Sequence, residues 1–124
     1  MHPIPCGFGS FPGEWVDTLG DIAALDFEQL VPGHGEVQRD RGYVELLRSM
    51  LAALRGQAAD AVAKGLDLDA TRKALDFSAF TLQFPKGEIE ERLFQAWWAQ
   101  PIGRSLWLEA SGKPIVQADS GDNG

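Results

Sequence analysis

Cysteine is almost absent from this chain: Cys6 is the only one in 124 residues. No disulfide can form within the chain, and zinc ribbons or fingers built on paired thiolates are excluded. A reducing compartment fits that count, so the sequence reads as cytoplasmic. Histidine is nearly as scarce, with only His2 and His34. Basic residues are outnumbered, 11 Lys and Arg against 18 Asp and Glu, for a formal net charge of −7. That balance argues against nucleic acid and against an anionic membrane surface, both of which require clustered cations. No apolar run approaches the roughly 20 residues of a membrane span. The opening MHPIPCGFGSFPG lacks the basic and apolar regions of a secretory signal.

What is present suits one globular domain. The apolar fraction is 44%, too high for disorder, and four Trp with seven Phe can fill a core. Residues 1–13, with three prolines and three glycines, read as loop, and such an opening resembles the interior of a longer fold. A first helix is predicted from Pro12 to Ala24, with Ser10 as its cap. Trp15, Leu19 and Ile22 form its apolar face beside Val16 and Ala23, while Glu14, Asp17 and Asp21 face water. Phe27–Val31 predicts a short buried strand, ended by Pro32 and a glycine loop, as in half of a βαβ unit. The longest helix is predicted from Asp40 to Lys64. Tyr43, Leu47, Met50, Leu54, Ala58 and Ala61 step by three and four, Leu46, Leu51 and Val62 widen the stripe, and Gly65 stops it.

Asp67 or Asp69 caps a short helix reaching Leu75. Phe77–Phe84 reads as a strand or extended lead-in, a partner for the first strand unless another chain or segment supplies one. Lys86–Gln100 is a further helix, with Ile89, Leu93 and Trp97 on one stripe and Phe94 and Trp98 beside it. Pro101 is predicted to break it, and Ile102–Ala110 to form a last helix with Leu106 and Trp107. Trp97 and Trp98 read as core, and Cys6 as a small apolar filler. Residues 112–124 lack periodicity and read as a frayed tail.

The segment that carries chemistry is Leu30–Val37, LVPGHGEV. A strand followed by Pro32, Gly33, His34 and Gly35 presents an imidazole at a strand's carboxyl end, where α/β sheets gather ligands. Neutral imidazole is the commonest protein ligand for zinc. The competing reading is a turn histidine that donates to a backbone carbonyl, and spacing alone favours that one. His2 is the only other imidazole and reads as disordered.

The stretch WVDTLGDIAALDFEQLVPGHGEV resembles the C-terminal half of the metallo-β-lactamase fold. In that family a helix with a leading Trp is followed by a short strand and a PGHG loop. The long helix with Tyr43 and Leu47, and the later FQAWWAQPIGRSLWLEASGK, are similar to the tail of family members, so the resemblance covers about Pro3 to Lys113. It implies an α/β, helix-rich fold: the C-terminal part of an αββα sandwich with one or two short strands and four to five helices. Residues 1–36 would be loop, helix and short strand ending in the metal loop, 37–112 a helical region, and 113–124 a flexible tail.

The resemblance also implies that His34 is a ligand of the second metal in a two-zinc site of a hydrolase acting on an ester, thioester or lactone. The family's remaining ligands, an HxHxDH motif, a further histidine and a bridging aspartate, lie upstream of PGHG and are missing here. The chain therefore resembles a C-terminal portion, expected to be inactive alone, whose partner is the missing N-terminal half or a second copy. In the intact family this helical region helps wall the substrate cleft, so one of Trp97 and Trp98 could face a ligand. The competing function is a stand-alone helical oligomerising or interaction module without catalysis.

Overall fold

A computed structural model describes residues 2–115. Among them the chain is helix-rich with almost no strand: α1 Pro12–Ala23, α2 Gly42–Ala63, α3 Leu68–Ala74, α4 Glu88–Leu93 and α5 Gln100–Ala110. The predicted tail falls largely on residues 116–124, outside the described ones.

The centre is α2. Its apolar residues recur every three or four positions, which gathers them on one side of a 3.6-residue turn. Met50, Leu51, Leu54 and Ala58 are fully buried, and every residue of the predicted stripe is buried except Val62, which is half-buried. Each large aliphatic side chain so buried contributes about 1.5–3 kcal/mol. The helix ends where Gly65 takes a φ of +80°. Gly65 N–H then donates to Val62 O at 2.9 Å and Leu66 N–H to Ala61 O at 3.1 Å, which satisfies carbonyls the helix leaves open. Asp67 caps α3 by accepting from Ala70 N–H at 2.8 Å.

Helix α1 lays Leu19 into the core, with Trp15, Val16 and Ile22 half-buried against it. Ser10 does not cap it; its hydroxyl donates to Gly7 O instead. The donor at the start of α1 is met from far along the chain, by Gly13 N–H to Glu109 Oε2 at 2.8 Å. Glu109 also receives Arg55 Nε through its other oxygen at 2.7 Å, so one carboxylate links α1, α2 and α5. At the other end of α1, Arg41 donates to Ala23 O at 3.0 Å and to Leu25 O, and its guanidinium lies 4.6 Å from the Phe27 ring centre. A cation there suits the negative helix terminus and ties down the connection that leads to the histidine loop.

Three expectations about strands fail. Phe77–Phe84 is no strand. Phe80 N–H donates to Phe77 O and Gln83 N–H to Phe80 O, and Thr81–Gln83 is a 3₁₀ turn. Phe77 and Phe84 instead meet Phe94, with ring centres 5.6 and 5.4 Å apart. The first strand shrinks to one antiparallel bridge, Leu30 with Gln38, so its partner is its own loop and not Phe77–Phe84. No βαβ unit forms among the described residues.

Nor does Pro101 break the last helix. Helical backbone runs unbroken from 88 to 110 through a π-helical segment, Phe94–Ala99. Proline has no N–H, so Trp97 O loses the α-helical donor four residues on. Gly7 N–H replaces it at 2.8 Å. The approach is close: a Cβ on Gly7 would stand 2.9 Å from Ile102 N and 3.1 Å from Trp98 O. The N-terminal loop is thus fastened to the site that the proline opens. The widened π turn also divides the tryptophan pair, burying Trp98 completely and leaving Trp97 42% exposed. Trp97 is therefore not core, and Ile89 and Leu93 on the same stripe are exposed with it, 69% and 38%.

Candidate functional site at the histidine loop

The loop that carries His34 is closed by two hydrogen bonds. Leu30 N–H donates to Gln38 O and Gln38 N–H to Leu30 O, both at 2.8 Å. Between them run residues 31–37. Gly35 turns through a φ of +102°, a conformation that only glycine adopts freely. A Cβ there would also lie 2.3 Å from Pro3 Cβ, so the N-terminal loop presses on this one. Gly33 has no such requirement, since its φ is not positive and nothing lies within 4 Å of its missing Cβ.

His34 is exposed, and its ring stands edge-on to Trp97, with centres 5.9 Å apart at 72°. Neither ring nitrogen has a hydrogen-bond partner among the described residues. The ring therefore donates to no backbone carbonyl among the described residues. His2 is not disordered. Its Nδ1 pairs with Gln38 Oε1 at 2.9 Å, its ring stacks on Tyr43 at 5.5 Å, and its backbone N–H donates to Gln83 O at 3.0 Å. Gln38 also donates to Glu36 O, which braces the far side of the loop. The two histidines are therefore held by different partners, one at the loop's tip and one at its base.

Cys6 is exposed and is not an apolar filler. The extended segment alternates: Pro5 and Gly7 turn inward and Cys6 turns out. Beneath the loop lies a cavity of about 330 Å³, walled mainly by apolar side chains of α1, α2, the N-terminal segment and the loop itself, with Cys6, His34 and Tyr43 also lining it. Tyr43 is buried, and burial pushes its phenol up to about 12, because a phenolate loses its hydration there. The roles of Arg41, Gln38 and Tyr43 had no signal in spacing. Each depends on contacts between segments far apart in sequence.

Among the described residues, no three His, Cys, Asp or Glu side chains gather in a way that could hold a metal ion. Asp21, Asp26 and Glu36, the acidic residues nearest in sequence, are exposed. A histidine bound to zinc ordinarily donates its second ring N–H to a carboxylate or carbonyl, and His34 has no such partner. These residues do not by themselves fit a zinc centre; they offer one unconstrained imidazole. Also among the described residues, no helix is long and apolar enough to cross a membrane. Comparison with protein families, with curated proteins and with solved structures finds no match for this chain.

Proposed function

We propose that this chain is the C-terminal portion of a cytoplasmic, metal-dependent hydrolase of the metallo-β-lactamase fold. In that reading it supplies helices of an αββα sandwich and one ligand, His34, to the second metal of a zinc pair. The remaining ligands come from an N-terminal half that carries HxHxDH. The substrate class is an ester, thioester or lactone. The observation that supports this reading best is the placement of His34: exposed, at the tip of a loop closed by an antiparallel bridge between two amphipathic helices. Catalytic zinc sites use about three protein ligands, so the chain alone supplies too few donors for tight binding and no catalytic step follows from its own residues.

The test is complementation. Ester hydrolysis is measured for the chain alone and after mixing with a polypeptide encoded upstream in frame that carries HxHxDH. The reading predicts no turnover alone, turnover on mixing, and loss of it with His34→Ala. Turnover by the chain alone, or full activity of the mixture with His34→Ala, contradicts it.

A second reading has its own support. Ile89, Leu93 and Trp97 form an exposed apolar stripe on the last helical rod, and its end meets His34. An exposed apolar stripe suits a contact with another polypeptide. It suits self-association of a non-catalytic helical module as well as the N-terminal half. Sedimentation at rising concentration separates them: a dimer that dissociates with Leu93→Lys favours the module.

A further inference from the structure

We infer that the cavity under the histidine loop binds a small neutral molecule with an apolar body and one hydrogen-bonding oxygen, which the Tyr43 hydroxyl recognises. The inference does not depend on the metal reading.

Three observations carry it. The cavity, about 330 Å³, is large enough for a small organic ligand. No Asp, Glu, Lys or Arg lines it, although the chain as a whole carries a net charge of −7. Most of its walls, Ile4, Trp15, Leu19, Ile22 and Leu47 among them, are apolar and suit an apolar body; the polar side chains among them are Cys6, His34 and Tyr43. Tyr43 is 7% exposed, lines this cavity, and has no hydrogen-bond partner among the described residues. Trp98 Nε1 and Thr71 Oγ1 are also unpartnered, but both are sealed from any ligand. The Tyr43 oxygen is not sealed. A phenol is a neutral O–H donor at physiological pH and can donate to a carbonyl oxygen.

Acetophenone and ethylbenzene are suitable probes, similar in shape and differing in the carbonyl. Each is titrated into the purified chain while backbone and indole N–H resonances are followed. The inference predicts saturable shifts at Trp15, Leu19 and Leu47 with both probes, and tighter binding of acetophenone. Tyr43→Phe is expected to weaken acetophenone about fivefold, the worth of one hydrogen bond, and to leave ethylbenzene within about twofold. Ile22→Trp, which fills the cavity from a half-buried position, abolishes binding of both. Thermal melts confirm that each variant folds. Should Tyr43→Phe not fold, the preference of the unaltered chain for acetophenone and the Ile22→Trp result still decide. Absence of saturable binding, shifts centred elsewhere, equal affinity for the two probes, or undiminished binding to Ile22→Trp each overturns the inference.

Discussion

Replacing Gly7 by Ala tests the fastening of the N-terminal loop to the last helix. The added Cβ would meet Ile102 N at 2.9 Å, Ile102 Cβ at 3.1 Å and Trp98 O at 3.1 Å. Two of these atoms are backbone in a buried helix and cannot swing aside. Either the helix strains, at about 1–3 kcal/mol for overpacking, or the loop lifts. Lifting breaks the 2.8 Å bond from Gly7 N–H to Trp97 O and weakens the seat of buried Pro5. A lost hydrogen bond costs about 1 kcal/mol. The two routes are alternatives, not a sum, so the cheaper sets the cost, and the expected destabilisation is about 1–2 kcal/mol. Urea unfolding followed by tryptophan fluorescence reads it. Gly56→Ala is the control. Gly56 lies within α2 with nothing near its missing Cβ, so alanine there is expected to stabilise by about 0.5–1 kcal/mol. One chemical change at two glycines thus has opposite signs. A Gly7→Ala variant within about 0.5 kcal/mol of the original, the usual range for an inert surface change, refutes the reasoning.

Glu109→Ala removes the cap of α1 and the pairing with Arg55. Because Arg55 is 43% exposed, the cap supplies the larger share, and the expected loss is about 1–2 kcal/mol by thermal or urea melt. Thr71→Val replaces a fully buried, unpartnered hydroxyl with a methyl of like shape and is expected to stabilise by about 1 kcal/mol in the same assay. Tyr43 is the only tyrosine, so tyrosinate absorbance titrates it alone. Its folded pKa is raised, so the folded state holds the proton more tightly. The stability this contributes is fully present below pH 10 and is lost as pH rises toward about 12. Stability is therefore expected to fall across that interval, and Tyr43→Phe to remove this part of the fall. A native titration midpoint near 10 contradicts it.

Helices with one continuous apolar stripe were legible from local pattern. The α2 stripe, the Gly65 stop and the Asp67 cap all follow from neighbours three or four positions away. Phe77–Phe84 misled because it was read as extended backbone. Phe77, Phe80 and Phe84 are spaced by three and four, a helical interval that suits the 3₁₀ turn found. Pro101 misled because its compensation comes from Gly7, more than ninety residues away, and no local rule carries that. The PGHG loop and its lone imidazole were visible in the sequence. The contacts with Trp97 and Pro3 and the cavity beneath were not, since each joins segments that only the tertiary fold brings together.

The central claim is that His34 is one ligand of a metal site completed elsewhere. Zinc stoichiometry after equilibrium dialysis tests it most directly, for the chain alone and for its complex with the HxHxDH-bearing half. The account predicts far less than one zinc per chain alone, two per complex, and the loss of one from the complex with His34→Ala. One tightly held zinc in the isolated chain, or two retained by the complex without the His34 imidazole, contradicts it.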